Sequence, residues 1–378
     1  MPAYVRTIET ALPSTVLVQS DAREIFAAQP GLTRLGERLV RTSFDVSGIE
    51  TRRTVIGDFT AGERTDAPVF YDQGSGLLLS SSTGVRNNVY IRAAGTLFAE
   101  AGKAALDATP GITAADVTHV VTVSCTGFYA PGPDYELVRE LGLPTTTQRF
   151  HIGFMGCYAV FPALRAAAAF CAADPDAVVL IVSCELCTIH VRSSNDPDQI
   201  VASSVFADGA AGAIVTARAP EEGPALRVDR LASELTPVGE EDMAWTIGDA
   251  GFEMVLSARV PKIIDAYIGS ALVPLFSDQP DLAADPAGSI RHWAIHPGGR
   301  SILDKVEAAI GLSGSQLEAS RRILRDFGNM SSATVLFVLK EILDGGHVGG
   351  HDERVCAMAF GPGLTVETGL FTRIEYSR

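Results

Sequence analysis

Apolar positions come in two kinds of segment in the middle of the chain. Thr118-His-Val-Val-Thr-Val-Ser-Cys125 and Asp176-Ala-Val-Val-Leu-Ile-Val-Ser183 are short runs rich in β-branched residues, which predicts buried strands. Between them, Asp134–Leu141 has helical spacing and stops at Gly142 before Leu143-Pro144. Gln148–Ile152 is strand-like and runs into a turn at Gly153–Gly156, and Cys157–Ala173 is an Ala-rich apolar helix. Further on, Ala207–Thr216 is a small-residue turn feeding a strand, and Pro220–Pro224 is the best linker candidate. The second part predicts a strand over Ser289–Ile295 and amphipathic helices over Ser301–Ile310 and Ser315–Phe327. It continues with an apolar helix over Ser332–Leu343 and strands over Arg354–Phe360 and Leu364–Tyr376 around a Gly361-Pro-Gly363 turn. Asp278–Pro286 and Gly345–Gly350 have the composition of surface loops. Strand–helix–strand alternation implies an α/β fold with a mostly parallel sheet covered on both faces. The expected division is two α/β halves, residues 1–220 and 221–378.

Composition narrows the class. The 378 residues are 47% hydrophobic and 20% charged, enough apolar material for a large core and too little charge for disorder. A net charge of −15 argues against a nucleic-acid or anionic-membrane binder. No apolar run approaches the roughly 18 residues of a membrane span. Ala159–Phe170 is too short, and Arg165 interrupts it. Met1–Leu12 lacks the cationic and apolar regions of a signal peptide. The six cysteines (125, 157, 171, 184, 187 and 356) show no paired zinc spacing. Cys184 and Cys187 form a CxxC, but it follows a strand pattern, whereas thioredoxin-type motifs open a helix. A reducing cytoplasm and a site without metal are the expectations.

Candidate chemistry centres on Cys157. It follows Gly156 at the start of the predicted helix, where free N–H groups and the helix dipole favour a thiolate. A thiolate nucleophile needs a base and a polarising donor. His296 in Ile-His-Pro-Gly-Gly follows a predicted strand, and Asn329 in Gly-Asn-Met-Ser-Ser lies in a turn that the serines can cap. Taken singly, each has a plain structural reading as a core thiol, a strand-end histidine and a turn asparagine.

Together with further motifs, the three resemble the type III polyketide synthases, the chalcone- and stilbene-synthase-like branch of the thiolase superfamily. The resemblance runs from about Ser43 to the C-terminus. It is carried by Thr126-Gly-Phe-Tyr-Ala-Pro-Gly-Pro-Asp-Tyr135, Gly156-Cys157, Phe206-Ala-Asp-Gly-Ala-Ala211, Ile295-His-Pro-Gly-Gly299, Gly328-Asn-Met-Ser-Ser332 and Phe360-Gly-Pro-Gly-Leu-Thr-Val-Glu367. It implies a thiolase fold, two similar α/β halves in an αβαβα sandwich. It also implies a homodimeric acyltransferase acting on an acyl-CoA starter and malonyl-CoA, with no cofactor and no acyl carrier protein for extension. Cys157 would carry the acyl chain, and His296 and Asn329 would stabilise the enolate of decarboxylating malonyl-CoA. A single-round β-ketoacyl synthase of the same fold shares these residues. A non-catalytic acyl-CoA-binding protein is the reading from a different class.

The same resemblance places Phe206 at a gate between a CoA tunnel and a cavity, with Met254 at the second gate position. Thr126, Cys187, His190, Trp245, Ser331 and Ala130 fall on cavity positions. Arg52 and Arg53 fall at the CoA tunnel entrance, with Gly298, Gly299 and Arg300 beyond the His296 turn. An indole at 245, where plant enzymes have Gly, would fill much of the room used by an aromatic polyketide. Glu185-Leu-Cys187 is similar to bacterial alkylresorcinol and alkylpyrone synthases, which favours a fatty acyl starter.

Overall fold

The computed structural model describes residues 2–60, 67–345 and 352–376. Its backbone is a nine-stranded sheet in the order His292–Ile295, Glu353–Gly361, Thr365–Tyr376, Gly223–Leu235, Ala3–Ala11, Asp208–Thr216, Val178–Leu186, His119–Ser124 and Gln148–Gly153. Ala3–Ala11 and Gly223–Leu235 pair antiparallel at its centre. Outward from Ala3–Ala11, the pairings to Asp208–Thr216 and Val178–Leu186 are antiparallel, and that to His119–Ser124 is parallel. Outward from Gly223–Leu235, the pairings to Thr365–Tyr376, Glu353–Gly361 and His292–Ile295 repeat the same sequence. Gln148–Gly153 is an additional edge strand, parallel to His119–Ser124. With five of the eight pairings antiparallel, the sheet is not the mostly parallel one that strand–helix–strand alternation implies; parallel pairs are confined to the outer strands.

Helices make the layers. Val160–Ala173 and Thr334–Asp344, both predominantly apolar, share one core with strands from both halves. Residues such as Phe161, Leu164, Val335 and Leu336 are buried there against Val121, Ile181, Val355 and Phe371. Because this central layer is covered on two sides, neither helix has room for a polar stripe. Thr83–Asp107 covers the outer face of the first half through Phe98, Ala101 and Ala105. Val260–Leu272 and Arg300–Ile310 cover that of the second half. The result is the αβαβα thiolase sandwich that the sequence motifs imply. The two β-branched runs become strands buried along their whole length, as expected of strands covered on both faces.

Local departures have local causes. The helix behind the thiol begins at Val160, and Cys157 lies in the preceding turn, closed by an Ala159 N–H to Gly156 carbonyl bond of 3.1 Å. Gly223 and Pro224, assigned above to a linker, already belong to a central strand. Asp278–Pro286, expected as a loop, holds the short helix Pro280–Ala284, with Pro at its first turn. The loop expected at Gly345–Gly350 lies, beyond Gly345, outside the described residues.

Asp208-Gly-Ala-Ala-Gly-Ala213 has small side chains for a reason visible in the packing: a Cβ on Gly212 would meet the Ala101 carbonyl oxygen of the covering helix at 2.4 Å. A backbone atom cannot rotate away. Gly212→Ala is expected to lower unfolding free energy by about 2 kcal/mol, within the range for overpacked cores. The urea midpoint reads the change.

Candidate active site

Cys157 is delivered by the edge strand Gln148–Gly153 through a turn in which Phe154 has φ 58° and Gly156 has φ 82°. Gly156 is required twice over, since its φ is left-handed and a Cβ there would lie 2.6 Å from Pro362 Cδ. Across the same seam, a Cβ on Gly361 would meet the Tyr158 ring at 2.4 Å. The Gly361-Pro-Gly363 turn of the second half is thus pressed against the cysteine turn of the first.

His296 ends the strand His292–Ile295, and its N–H bonds to the Met358 carbonyl of the neighbouring strand at 2.8 Å. The side chain is buried, with both ring nitrogens lacking a hydrogen-bond partner among the described residues. Burial pushes its pKa down to about 3, so the ring is a neutral imidazole with an N–H to offer. Asn329 follows Gly328, whose φ is 72°. Its backbone bridges to the Phe206 segment: the Asn329 N–H donates to the Val205 carbonyl at 2.9 Å, and the Ala207 N–H donates to the Asn329 carbonyl at 2.8 Å. In the side chain, Oδ1 accepts the Ser331 N–H at 2.9 Å, and Nδ2 donates to the Gly298 carbonyl at 3.2 Å. This fixes the amide orientation and turns the second Nδ2 hydrogen toward the Cys157 side of the cavity.

Cys157, His296 and Asn329 line one cavity of about 470 Å³. Burial pushes the Cys157 thiol up to about 12, while hydrogen bonding from Ser331 and Asn329 pulls the other way. Thiol and imidazole are therefore each held neutral when alone. The walls are mainly apolar, from Phe206, Met243, Met254, Leu256, Val260, Ile264 and Phe360. Lys262, Arg300 and Lys305 bring positive charge to the same cavity.

The remaining sequence candidates divide. Phe206, Met254, Gly298, Gly299 and Arg300 line the cavity with the triad. Ser331 is buried behind it, its hydroxyl 3.5 Å from the Cys157 sulfur. Thr126 is taken up in structure, its hydroxyl donating to buried Glu185 at 2.9 Å and accepting the Leu186 N–H at 2.9 Å. His190 donates from Nε2 to the Thr126 carbonyl at 2.8 Å and accepts the Phe252 N–H on Nδ1 at 3.0 Å, and its ring stacks on Phe252. The Trp245 Nε1–H donates to the Cys125 carbonyl at 2.8 Å, and its ring packs against His190, Phe252 and Phe206. Cys187 is buried beside this group, and Ala130 is exposed, preceding the cis peptide to Pro131. None of Thr126, Cys187, His190, Trp245 and Ala130 lines the described cavity. An aromatic cluster occupies the space in which the sequence placed a cavity wall.

Arg52 corrects a second expectation. It is 1% exposed, so it cannot stand at a tunnel entrance. Its NH1 donates to the carbonyls of Ser203 at 2.9 Å and Phe206 at 2.6 Å, its carbon stem packs against Gly328, and burial lowers its pKa to about 10. It braces the backbone where Phe206 and Asn329 meet. Arg53 bonds the Ser14 carbonyl at 3.2 Å and is also absent from the cavity wall. The cations at the cavity, Lys262 and Lys305, carried no sequence signal, because each lies on the polar side of an ordinary amphipathic helix.

Comparisons with known proteins agree with this geometry. The family model described as chalcone and stilbene synthases, N-terminal domain, matches residues 1–219, and that for the C-terminal domain matches residues 228–375. Bisdemethoxycurcumin synthase from Oryza sativa subsp. japonica is 32% identical over 383 residues, covering 97% of this chain and 92% of that protein. Probable polyketide synthase 1 from Dictyostelium discoideum is 34% identical over 255 residues, 67% of this chain but only 8% of that much longer protein. Among solved structures, PKS-I from the brown alga Ectocarpus siliculosus has a TM-score of 0.89 at 26% identity, covering 99% of this chain and 98% of its own. The C-terminal type III polyketide synthase domain of Steely1, a type I/III hybrid from Dictyostelium, has a TM-score of 0.87 at 27% identity, covering 100% of both chains.

The two adjacent arginines make a direct test of the bracing. Arg52→Met removes the donor to two buried carbonyls and should cost about 3 kcal/mol of stability. Arg53→Met should change it by less than about 0.5 kcal/mol, as expected of a surface site. Urea unfolding of the two variants side by side checks the contrast.

Proposed function

The chain belongs to the chalcone and stilbene synthase family of type III polyketide synthases, and on that premise we propose a mechanism and a substrate class. The Cys157 thiol passes its proton to His296, and the thiolate attacks the carbonyl carbon of an acyl-CoA starter. The carbon–sulfur bond to CoA breaks, and the CoA thiolate takes up the proton. Malonyl-CoA then enters the same cavity and loses carbon dioxide, leaving an enolate on its thioester oxygen. The second Nδ2 hydrogen of Asn329 and a ring N–H of His296 donate to that oxygen in a site from which water is largely excluded. The enolate carbon attacks the Cys157 thioester, forming the new carbon–carbon bond and releasing Cys157. Return of the elongated chain to Cys157 allows another round, and cyclisation to a pyrone, resorcinol or related product ends the sequence. Protein N–H groups supply the electrophilic assistance, so the mechanism calls for no metal or cofactor.

The observation that carries this reading is the convergence of Cys157, His296 and Asn329 on one cavity, with an imidazole unpartnered among the described residues and an amide N–H directed to the Cys157 side. Lys262, Arg300 and Lys305 would bind the phosphates of CoA by charge-assisted hydrogen bonds, with Lys305 exchanging its 3.3 Å contact to Asp265. Aliphatic walls from Met243, Met254, Leu256, Val260 and Ile264 favour a fatty acyl starter over an aromatic one. Trp245, anchored by its indole N–H and by ring packing, limits growth on its side. That plug favours few extensions, with a single round of condensation as the second reading. A homodimer would join through the edge strand Gln148–Gly153, where residues 148–151 are exposed and Phe150 and nearby Phe128 present aromatic surface. Among the described residues no helix is long and apolar enough to cross a membrane, and we place the enzyme in the cytoplasm.

The mechanism is tested by mass spectrometry of products from malonyl-CoA with C6 to C18 and aromatic acyl-CoA starters. Cys157→Ala should form no polyketide, while Cys157→Gln should still release carbon dioxide from malonyl-CoA; product from Cys157→Ala sinks the mechanism. One extension per starter in the wild-type enzyme decides for the single-round reading. Trp245→Ala should yield longer products if the plug sets chain length. The double variant Lys262→Ala/Lys305→Ala should raise KM for malonyl-CoA about tenfold at low salt with little change in kcat, the pattern of lost uniform binding. Arg53→Ala should leave KM alone.

A further inference from the structure

Ser331 has a conformation that its surroundings impose. It is a non-glycine residue at φ 47°, buried at the start of the short 3₁₀ turn Ser331–Ala333. Left-handed backbone is costly for a side chain bearing a Cβ. Two contacts depend on it. The Ser331 N–H donates to Asn329 Oδ1, and the hydroxyl lies 3.5 Å from the sulfurs of both Cys157 and Cys125. A glycine would satisfy the backbone without strain and would also keep the N–H contact. The hydroxyl is what a glycine would lose.

Where the hydroxyl proton goes follows from the neighbouring groups. The Cys125 S–H has a carboxylate to donate to, Glu185 Oε1 at 3.3 Å. Glu185 also takes the Cys125 N–H at 2.9 Å, the Thr126 hydroxyl at 2.9 Å and the Ser332 hydroxyl, which hold it in place. With the Cys125 proton committed to Glu185, the Ser331 proton is free for a sulfur acceptor. Once Cys157 is charged it is the stronger acceptor of the two thiol positions. The titratable groups around Cys157 are His296 from the strand His292–Ile295, Glu185 and Cys187 from the segment Val178–His190, and Cys125 from the loop after His119–Ser124, with the cations Lys262, Arg300 and Lys305 lining the same cavity from the helices Val260–Leu272 and Arg300–Ile310. Glu185 disfavours a negative charge on Cys157, and buried His296 can favour one only when protonated. A neutral donor at 3.5 Å works at every pH in the working range.

We infer that Ser331 is a thiolate-stabilising residue: its hydroxyl donates to the Cys157 sulfur and helps to keep the nucleophile ionised between rounds of condensation, when each elongation step returns Cys157 as an anion. This rests on Cys157 being the acyl carrier. It reassigns Ser331 from a cavity wall, where the sequence put it, to a partner of the reacting atom. The strained backbone is retained because it aims the N–H at Asn329 and the hydroxyl at Cys157 from one residue.

The test compares wild type with Ser331→Gly, a change that the φ of 47° accommodates. The pH dependence of iodoacetamide alkylation is followed at the Cys157 peptide by mass spectrometry, with melting temperature as the control for folding. A charge-assisted hydrogen bond removed from the thiolate should move the alkylation midpoint up by about one pH unit, roughly tenfold in thiolate fraction at fixed pH below it. The variant should melt no lower than wild type. An unchanged midpoint overturns the inference. So does a fall in malonyl-CoA decarboxylation with the midpoint unchanged, which would mean that Ser331 only positions Asn329. Failure of the wild-type enzyme to become acylated at Cys157 by acyl-CoA would strike the functional reading instead, and the midpoint comparison would still decide the role of Ser331.

Discussion

The whole site depends on a seam with no room for side chains. Gly156 and Gly361 face a proline and a tyrosine from the opposite half at distances that exclude a Cβ. A few residues away, the Asn329 backbone pairs with that of Phe206. Cys157 belongs by sequence to the first half, and His296 and Asn329 to the second. Only the close approach of two turns and one backbone bridge puts them on a common cavity. Other parts of the fold serve that approach. The central layer of Val160–Ala173 and Thr334–Asp344 binds the halves in one core, and the ion pair from Arg165 to buried Glu367 ties the cysteine helix to the strand behind the Gly361 turn.

Burial then sets the electrostatics. A thiol pushed up to about 12 and an imidazole pushed down to about 3 describe two groups that resist charge singly. The chemistry proposed above needs charge to appear on sulfur, leave, and appear next on an enolate oxygen. A mainly apolar cavity makes each hydrogen bond to those transient anions more effective than it would be in water. The donors are fixed beforehand: the Asn329 amide is held from both ends, and the His296 ring has no competing partner among the described residues. The polar groups nearest the site that do have partners, Glu185, Thr126 and His190, use them to hold backbone and hydroxyl positions. They act on shape.

Shape is where this chain is individual. Trp245, His190, Phe252 and Phe206 form an aromatic cluster fixed by ring packing and by N–H bonds to the consecutive carbonyls of Cys125 and Thr126. The hairpin that carries Trp245 and Met254 is tied at its turn to the start of Thr83–Asp107, where the Thr83 N–H bonds Asp249 and the Gly251 N–H bonds the Thr83 hydroxyl. Cavity contour on that side is therefore set by a hairpin outside the main sheet.

The sequence by itself determined the strand runs and the α/β class and singled out Cys157, His296 and Asn329 as candidates, because these follow from local facts. Continuous β-branched runs read as strands buried on both faces, and Gly156, Pro297-Gly298 and Gly328 mark turns in which a single functional side chain stands out. The helix Thr83–Asp107 was not legible: Gly95 and Gly102 interrupt its pattern, and they are there because Glu136, Leu141 and Leu137 press on them from elsewhere in the chain. Side-chain placement around the triad was not legible either. Arg52 and Arg53 are neighbours with the same charge, yet one is buried as a brace and the other is at the surface. Lys262 and Lys305 are unremarkable helix residues until two helices bring them to one cavity. Trp245 reads as a cavity wall until its indole finds the Cys125 carbonyl. Burial, hydrogen-bond partners and cavity walls are properties of contacts between distant segments, so only the tertiary structure could decide them.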